Sequence, residues 1–337
     1  MHCPVCGRDH IGEAGPVLAS LPDVFAPCDA CRGTNLDKAA PLPPGFEPRG
    51  PCTCGRQFID DVFAAIYLIL VDEGALAGTE PLRAAGVPVT NPGFAMAAPP
   101  HLPEDSLVLL SPHPDRAAAG RIVEDVPAVQ GVVRTVPATP GIGPDGAAAA
   151  HALLAGCDVQ ANVFSTSYGD IVVYKELSRM HIEFPRPFNP KIRLVEREID
   201  RHTPRLFIDA CCGAGTLGLA AALAGTPVVV FNDAYGPAAF WTAFNIAVNR
   251  DALLVERLSL PPRDLPVSRS DPVVVAGAEG DQRLIVYQGD FARLPSLVPG
   301  IDRSLAALDL FGKEDRAACD AALAQWRKSG GGKAFIP

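Results

Sequence analysis

Four apolar runs in the second half of the chain each end in a carboxylate, a pattern typical of strands that deliver side chains to a binding crevice. Because the carboxyl ends of parallel strands meet at one edge of a sheet, we expect these carboxylates to lie close together. The first run also leads into a glycine-rich turn, where small residues let the backbone approach a ligand. The carboxylates are Asp209, Asp233, Asp290 and Asp309, and the turn contains Gly213, Gly215 and Gly218.

The order of strand, acidic residue, glycine turn and helix predicts a nucleotide cradle, and two cofactors fit such a cradle. Gly213 and Asp233 are 20 residues apart, and this spacing satisfies the dinucleotide fingerprint of NAD sites. Asp209 favours S-adenosylmethionine instead, because a carboxylate there could meet the methionine amino group, whereas NAD sites usually keep the first strand apolar. We therefore expect S-adenosylmethionine, with an NAD-binding or a non-catalytic nucleotide-binding protein as outside alternatives.

The first sixty residues contain cysteine pairs at metal-ligand spacing. Two C-x2-C pairs, each followed closely by glycine, are separated by 21 residues. Thiolates on two such tight turns converge tetrahedrally, and in a short segment with little apolar sequence the metal would supply most of the folding energy. We therefore predict a zinc ribbon in which one structural zinc ion is bound by Cys3, Cys6, Cys28 and Cys31.

A third pair, Cys52 and Cys54, is not placed by that ribbon. It could replace one of the two pairs, join His2 or His10 in a second metal site, or indicate an iron–sulfur cluster. It could also be a spare pair beside the ribbon. The sequence leaves these alternatives open.

Composition limits the class of protein. With 337 residues, 48% of them hydrophobic, the chain is long enough for two or three domains with substantial cores. The longest apolar run, Val62 to Val71, is too short to span a membrane, so we expect no membrane partner. The residues after Met1 do not show the basic region and apolar stretch that are typical of a secretory signal peptide. The ten cysteines then predict intracellular thiols and metal ligands rather than disulfides, and a cytoplasmic protein.

The elements that must position these residues divide the chain into three parts. A proline- and glycine-rich joint at 137–146 is the strongest boundary signal, because both residue types interrupt helices and strands. We predict an α/β fold with a cysteine-rich module over 1–56, a helix and small α+β region over 57–145, and a Rossmann-like domain with an N-terminal β extension over 146–337. Patterning predicts helices over 57–74, 115–125 and 147–156, and strands over 106–111 and 129–136.

Upstream of the glycine turn, the chain resembles a known enzyme family. The segments 171–176 (Ile-Val-Val-Tyr-Lys-Glu), 188–191 (Phe-Asn-Pro-Lys) and 196–197 (Glu-Arg) precede the Asp209 glycine motif and the Asn-Asp pair at 232–233. In this order they resemble the archaeal and eukaryotic tRNA guanine-N1 methyltransferases. The wybutosine-pathway aminocarboxypropyl transferases share the same frame. The resemblance covers approximately residues 105–337 and does not include the cysteine-rich module.

The resemblance implies a class I S-adenosylmethionine-dependent methyltransferase domain with RNA, specifically tRNA, as the substrate. In that frame Asp290 would contact the adenine edge and Asp233 the ribose hydroxyls. Tyr235 would stack on or line the cofactor pocket, or simply cap the strand end, and Cys211 would be a small residue packed beneath the cofactor rather than a reactive thiol. The expected cofactor-binding residues are Asp209, Cys211, Gly213, Gly215, Asp233, Tyr235 and Asp290.

Several positions depart from the family pattern. An Asn-x-Pro type motif is usual after the fourth strand, whereas here Asp309 begins the sequence Asp-Leu-Phe-Gly. Lys191 stands where the family usually has an arginine after Asn-Pro. Lysine keeps the positive charge but cannot form the paired hydrogen bonds of a guanidinium group. We assign Asp309 to substrate orientation or proton acceptance, and Lys191 and Arg193 to substrate clamping. The sequence ends in its fifth predicted strand, so the final hairpin of the usual seven-stranded sheet is missing, supplied elsewhere or removed.

The distribution of charge keeps a second substrate class open. Residues 1–150 carry 9 basic and 17 acidic side chains, and residues 151–337 carry 20 and 21. An RNA-binding protein normally presents a basic face, because phosphate contacts supply most of its affinity. The one basic segment, 175–205, has 8 basic and 5 acidic residues and could equally be a solvated helix face. tRNA is the leading substrate, with a protein or small-molecule acceptor as the alternative.

Overall fold

The apolar strands and helices that follow residue 205 assemble into a seven-stranded sheet with helices on both faces. The structure is a computed structural model that describes residues 1–142 and 148–337. Phe207, Val229 and Leu284, in three neighbouring strands, are fully buried, as a sheet covered on both faces requires. The fold is therefore α/β, as predicted.

The helices and strands are numbered in chain order. The helices are α1 (Ala14–Val24), α2 (Ile59–Asp72), α3 (Arg116–Asp125), α4 (Pro190–His202), α5 (Thr216–Leu223), α6 (Gly236–Val248) and α7 (Arg316–Lys328). The strands before α4 are β1 (Gln57–Phe58), β2 (Val87–Thr90), β3 (His101–Leu102), β4 (Leu107–Ser111), β5 (Val129–Arg134), β6 (Gly141–Ile142), β7 (Ala148–Ala149), β8 (Ala152–Gly156), β9 (Val159–Thr166) and β10 (Gly169–Glu176). The strands after α4 are β11 (Leu206–Asp209), β12 (Val228–Asp233), β13 (Val255–Leu258), β14 (Val273–Gly280), β15 (Arg283–Gln288), β16 (Leu305–Ala307) and β17 (Lys333–Phe335).

The strand order of the large sheet fixes where a ligand can bind. Its parallel strands lie in the order β15-β12-β11-β16-β17, so the chain order reverses on either side of β11. In open α/β sheets, ligands bind beyond the carboxyl ends of the strands at such a switch point. The core on one face is formed with α4, α5 and α6, and the core on the other face with α7.

The two edges of this sheet differ from the sequence-based picture. The fifth parallel strand is confirmed as β17, which pairs with β16 through Ala334 and Ala306. An antiparallel pair, β13 and β14, was not predicted and lies at the opposite edge, beside β15. Within the described residues no strand pairs with the outer edge of β17, so the sheet reaches seven strands without a hairpin there.

The middle part forms its own four-stranded sheet in the order β2-β4-β5-β8. β4 and β5 are parallel and are joined by α3, whose N-cap Asp115 accepts a hydrogen bond from the Ala118 amide. α2 and α3 bury their apolar sides in one core together with residues of β4 and β5. The predicted helices over 57–74 and 115–125 and strands over 106–111 and 129–136 are confirmed with shorter bounds.

The helix predicted over 147–156 is wrong for its described residues. Ala152 to Gly156 is strand β8, which pairs antiparallel with β5. Alanine and leucine favour helices locally, but here pairing with the exposed edge of a sheet outweighs that preference. The domain boundary predicted at 145/146, and the centre of the proline- and glycine-rich joint, lie in 143–147, outside the described residues.

β9 and β10 form a long hairpin that α6 holds beside the large sheet. Asn245 Oδ1 accepts a hydrogen bond from the Tyr174 amide at 2.7 Å, and its Nδ2 donates to the Tyr174 carbonyl at 2.8 Å. Asn249 repeats this arrangement one turn later with the amide and carbonyl of Val172. The two buried asparagines thus supply the hydrogen bonds that a neighbouring strand would otherwise make to the backbone groups at this edge of β10.

The N-terminal residues pack directly on the rest of the molecule. Cys3, Ile11 and Ala14 share a core with the hairpin residue Tyr174 and with Trp241 of α6. The Gly12 amide donates a hydrogen bond to the Tyr174 hydroxyl at 3.0 Å. Among the described helices, none is long and apolar enough to cross a membrane.

Candidate functional site

A cavity of about 620 Å³ opens at the carboxyl ends of β11, β12, β15 and β16. The fold therefore brings the four strand-end carboxylates to one site, as the sequence predicted. Of the sequence-predicted cofactor and substrate residues, those that line this cavity are Asp209, Cys211, Gly213, Asp233, Tyr235, Asp290, Lys191 and Asp309.

The shape of the glycine turn depends on two glycines with left-handed backbone conformation and on the close approach of a third glycine to β12. Gly213 and Gly215 have φ of +54° and +90°, and Gly215 is the N-cap of α5, so it shapes the turn without lining the cavity. A Cβ on Gly218 would lie 2.1 Å from the ring of Phe231 on β12. The three glycines therefore let the turn fold tightly and bring α5 close to the sheet.

Asp209 is fully buried at the end of β11. Its Oδ2 accepts a hydrogen bond from the Gly218 amide at 2.8 Å, while its Oδ1 is buried with no partner in the described part of the chain. Burial raises the pKa of Asp209 to about 8, with a smaller contribution from the nearby carboxylates, and the Gly218 hydrogen bond opposes this shift. An unpaired buried carboxyl oxygen beside a cavity is suited to a cationic or hydrogen-bond-donating ligand.

Asp233, at the end of β12, holds the glycine turn in place. Its Oδ2 accepts from the Gly213 amide and its Oδ1 from the Tyr235 amide, both at 2.9 Å. Burial raises the pKa of Asp233 to about 6 although these amide hydrogen bonds lower it. Because a carboxylate has about four lone-pair sites, two remain for a ligand in the cavity.

Asn232 ties the strand ends together beneath the cavity. Its Nδ2 donates to the carbonyls of Ala210 and Gly289, at 3.1 and 3.0 Å, and so links the segments that follow β11 and β15. Asp290 follows directly, and its Oδ1 accepts from the Ala292 amide at 3.0 Å, which fixes the carboxylate at the cavity wall.

The start of α4 positions Lys191 against Asp309. Asn189 caps the helix by accepting a hydrogen bond from the Lys191 amide at 3.0 Å, and Pro190 suits the first helical position. Lys191 Nζ then lies 2.9 Å from Asp309 Oδ2, and Lys313 pairs with the other oxygen. Burial lowers the pKa of Lys191, but the carboxylates of Asp309 and Glu183 outweigh it and the net shift is upward.

Arg193 does not lie where the sequence-based assignment needs it. It is not among the residues that line the cavity; its guanidinium pairs with Glu196 at 2.9 Å and lies over the Phe188 ring at 5.4 Å. Side chains two positions apart on a helix point to nearly opposite sides, so Lys191 and Arg193 cannot both face the cavity. Arg193 therefore does not share the cavity wall with Lys191.

Lys175 was missed by the sequence analysis as a site residue. It closes the apolar run of β10, lines the cavity, and is only 4% exposed. Burial lowers the pKa of Lys175 to about 8, and Nζ donates to the His181 carbonyl at 3.1 Å. The signal that could have identified it is a lysine placed at the end of four apolar strand residues.

The glycine turn contains two adjacent cysteines, Cys211 and Cys212. Burial raises the pKa values of Cys211 and Cys212 well above the ordinary range, and the surrounding carboxylates act in the same direction. Cys212 Sγ lies 3.3 Å from the Thr242 hydroxyl, whose oxygen donates to the Gly213 carbonyl. Both cysteines line the cavity, in surroundings that disfavour the nucleophilic thiolate.

The four cysteines predicted to share one zinc ion lie in two separate clusters, so the single shared site is corrected. The third cysteine pair replaces one of the predicted pairs, which was one of the open alternatives. The four-cysteine cluster consists of Cys28, Cys31, Cys52 and Cys54, and the mixed cluster of Cys3, Cys6, His10 and Cys157.

The four-cysteine cluster has the dimensions of a mononuclear metal site. The Sγ atom of Cys28 lies 3.7 Å from those of Cys31 and Cys52, and Cys31 Sγ lies 3.6 Å from Cys54 Sγ. Zn–S bonds of about 2.3 Å in tetrahedral geometry place the sulfurs about 3.8 Å apart. The donor set and its spacing therefore fit one zinc ion.

Comparison with known proteins gives only remote similarities. No family model and no curated protein matches the sequence. Trm1 from Pyrococcus horikoshii, solved with S-adenosyl-L-methionine, is 20% identical over 44% of this chain and 36% of that chain, with a TM-score of 0.31. TYW2 from P. horikoshii, in complex with MeSAdo, is 17% identical over 81% and 78%, with a TM-score of 0.38. The M. jannaschii tRNA m1G37 methyltransferase is 13% identical over 79% and 69%, with a TM-score of 0.36. This chain thus spans about a third of the Trm1 chain.

Proposed function

We propose that this chain is an S-adenosylmethionine-dependent methyltransferase that acts on RNA, with tRNA as the acceptor. The observation that carries the proposal is Asp209, whose buried Oδ1 lacks a partner in the described residues and borders the cavity at the switch point. The ammonium group of S-adenosylmethionine would supply that partner and a counter-charge. The parallel-strand order, with β11 between β12 and β16, supports the class I methyltransferase domain.

The same geometry speaks against NAD. A dinucleotide places its pyrophosphate against free amides at the N-terminus of the helix that follows the glycine turn. Here the Gly218 amide in the first turn of α5 is already bonded to the Asp209 carboxyl. Asp209, Asp233 and Asp290 surround this end of the cavity, so the site favours a cationic ligand over an anionic one.

The remaining residues have separate roles in this proposal. When bound, S-adenosylmethionine supplies an electrophilic methyl group on a positively charged sulfur, and transfer is an in-line displacement. Asp209, Asp233 and Asp290 would hold the cofactor, with Tyr235 at the wall. Asp309, held by two lysines, would orient the acceptor through its remaining lone pairs or take a proton from it.

Exposed aromatic rings on the cavity lining and on the segment before α4 support an RNA acceptor. Phe311 lines the cavity, is 59% exposed, and meets the His181 ring edge-on at 5.5 Å. Phe184 and Phe188 are exposed on the segment between β10 and α4. Proteins read single-stranded RNA largely by stacking splayed bases on such rings. Arg186, on the same segment, is exposed and could meet a phosphate.

A protein or small-molecule acceptor is the second candidate, because several cations of the basic segment 175–205 are already paired or buried. Within 175–205, Arg193 and Arg201 pair with glutamates of α4, and Arg179 lies 3.8 Å from Glu176. Lys175 is buried and Lys191 is paired with Asp309. These contacts neutralise several of the cations of 175–205, so the segment offers fewer phosphate-binding groups than its 8 basic and 5 acidic residues suggest.

We also propose that the four-cysteine cluster binds a structural zinc ion. Its donor atoms match tetrahedral thiolate coordination, and the surrounding loops contain little apolar sequence to stabilise them otherwise. In this role the metal fixes the loops at 28–31 and 52–54 and takes no part in transfer.

Calorimetric titration with S-adenosylhomocysteine, with NAD as a parallel control, tests the cofactor. We expect micromolar binding of S-adenosylhomocysteine alone; binding of NAD alone would refute the proposal. Incubation with S-adenosylmethionine and tRNA, protein or metabolite fractions, followed by mass spectrometry of the products, then tests the acceptor. The added mass distinguishes a methyl from an aminocarboxypropyl group, and modification confined to protein or metabolites would reject the RNA acceptor.

A further inference from the structure

The mixed cluster joins two distant parts of the chain. Cys3, Cys6 and His10 come from the first turn of the N-terminal segment, whereas Cys157 lies between β8 and β9, 147 residues after His10. Neither the predicted ribbon nor the proposed transfer reaction uses this combination. All four donor atoms lie within 4.8 Å of one another.

Three separations between the donor atoms, two of them close to the edges of a tetrahedral zinc site, describe the geometry of the cluster. Cys3 Sγ lies 3.8 Å from Cys157 Sγ, and His10 Nε2 lies 3.6 Å from Cys157 Sγ and 3.2 Å from Cys6 Sγ. Bonds of about 2.3 Å to sulfur and about 2.0–2.1 Å to nitrogen give edges of about 3.6–3.8 Å in a tetrahedral zinc site. Cys3 and Cys157 are not joined by a disulfide in this structure, since that bond would require a sulfur–sulfur distance of about 2.05 Å.

The local backbone supports this arrangement. The Gly7 amide donates to the Cys3 carbonyl at 2.9 Å, and Gly7 has φ of +76°, so the chain turns tightly between Cys6 and His10. Cys157 is fully buried, and its amide donates to the Gln130 carbonyl at 2.9 Å, which fixes it to β5. The cluster thus combines ligands from a tight N-terminal turn with Cys157, which is held in the core.

The donor set selects the metal. Three thiolates and one imidazole at tetrahedral spacing are typical of structural zinc. A [4Fe–4S] cluster places each of its four ligands on a different iron, and a [2Fe–2S] cluster divides them between two irons, so in neither do all four donor atoms lie at the corners of one tetrahedron. His10 presents Nε2 to the thiols, and its Nδ1 is buried without a protein partner in the described chain. A bond from Nε2 to a metal would offset the cost of burying this ring.

We propose that Cys3, Cys6, His10 and Cys157 bind a second zinc ion, which fastens the N-terminal segment to the core beside the β9–β10 hairpin. The site is structural and independent of the identity of the cofactor. It lies close to the candidate active site because Gly12 bonds the Tyr174 hydroxyl, and Tyr174 precedes Lys175 in β10. The N-terminal segment would therefore support one wall of the cavity.

Zinc counting on the tag-free full chain tests the site. After dialysis against a chelator of moderate strength, we expect two zinc ions per chain in the native protein and one in Cys157→Ser. Cys52→Ser, which alters only the four-cysteine cluster, should also retain one. Cys319→Ser is the matched control, because Cys319 on α7 belongs to neither cluster, and it should retain two.

X-ray absorption on the unaltered protein keeps the proposal testable if a variant fails to fold. Two sites together present seven sulfurs and one nitrogen to zinc, whereas the four-cysteine cluster alone presents only sulfur. A single zinc with sulfur ligands only, bound iron in place of zinc, or an unchanged metal content in folded Cys157→Ser would each overturn the second site. A Cys3–Cys157 disulfide detected by mass spectrometry would do the same.

Discussion

The carboxyl group of Asp209 organises the candidate site, although burying it costs free energy. Its carboxyl group is fully buried, with one oxygen committed to Gly218 and the other without a partner among the described residues. Burial raises the pKa of Asp209 to about 8, far above the value of about 3.9 in an unfolded chain. The apo protein therefore holds a proton here that a cationic ligand would displace.

The first prediction follows from this proton. Between about pH 4 and 8 the unfolded chain binds fewer protons at Asp209 than the folded chain, so the free energy of unfolding falls as pH rises. Asp209→Asn should reduce this fall and weaken S-adenosylhomocysteine binding at least about tenfold, or about 1.4 kcal/mol. Urea titrations across pH, and calorimetry in buffers of different ionisation enthalpy, measure the two effects.

Asp302→Asn is the control for this experiment, since Asp302 is exposed and outside the cavity. It should leave both the pH dependence and the binding constant unchanged. Unaltered binding in folded Asp209→Asn would contradict the proposed contact with the methionine ammonium.

The second prediction concerns the contact between Gly218 and β12. Gly218→Ala would place a Cβ 2.1 Å from the buried ring of Phe231, and overpacking of this kind costs about 1–3 kcal/mol. Gly120→Ala is the matched control, because a Cβ on this α3 residue meets no atom within 4 Å. It should stabilise the protein by about 0.5–1 kcal/mol through helix propensity. Equilibrium denaturation of both variants checks the difference in sign.

Single residues differ in how much of their role the sequence reveals. Asp209, Asp233, Asp290 and Asp309 follow apolar runs, so their convergence could be predicted from the geometry of a parallel sheet. Lys175 could not be recognised so easily, because its burial and its contact with the His181 carbonyl depend on tertiary structure.

At the scale of elements, the start of α4 decides where Lys191 lies. The sequence Asn-Pro-Lys is an N-cap followed by a proline at the first helical position, and this local signal is readable without any tertiary contact. Which side of the helix faces the cavity is not readable from it. That choice depends on how α4 packs on the sheet, and it separates Lys191 from Arg193.

The third prediction tests this cap. Asn189→Ala removes the side-chain oxygen that accepts the Lys191 amide and should cost about 1 kcal/mol of stability. The rate of transfer should fall while S-adenosylhomocysteine affinity stays the same, because Lys191 and Asp309 would lose their fixed geometry. Asn189→Ser retains a capping oxygen and should recover most of both quantities. Equal transfer rates in the two variants would contradict a positioning role for the cap.

The error at β8 has a physical reason that applies to elements in general. The segment 152–156 is rich in alanine and leucine, and its intrinsic preference is helical. β5 offers it a row of backbone groups to pair with, from Gly131 to Arg134. That partner is fixed by tertiary structure and leaves no trace in the local pattern, so the helix prediction failed here and held for α2 and α3.

For the whole molecule, charge constrains how RNA could bind. The chain has a formal net charge of −9, and several arginines of the basic segment 175–205 are paired with glutamates. Phosphate contacts should therefore be few, and stacking on the exposed phenylalanines should supply much of the affinity.

The fourth prediction concerns how the affinity for tRNA depends on salt concentration. The logarithm of tRNA affinity should fall with the logarithm of salt concentration with a slope no steeper than about −3. Arg186→Ala should reduce the slope by about one, whereas Arg257→Ala, at a distant edge strand and paired with Glu279, should not change it. Filter-binding titrations measure both, and a slope of about −6 or steeper would contradict the stacking-dominated mode.

The grouping of the cysteines could not be predicted from the sequence for a related reason. Adjacent pairs are visible as C-x2-C spacing, but which pairs share a metal is decided by the path of the chain between them. Cys157 stands alone in the sequence and lies in the mixed cluster only because β8 ends beneath the N-terminal segment.

The distance along the chain between His10 and Cys157 has a consequence for synthesis. All ligands of the four-cysteine cluster have been translated once Cys54 is added, whereas the proposed mixed site must wait for Cys157. At about 5–20 residues per second, the 147 residues from His10 to Cys157 take about 7–30 s on the ribosome. During this time, Cys3 and Cys6 are open to oxidation, chaperones or the wrong metal. Metal loading of this protein would therefore be ordered in time by translation, with the N-terminus secured last.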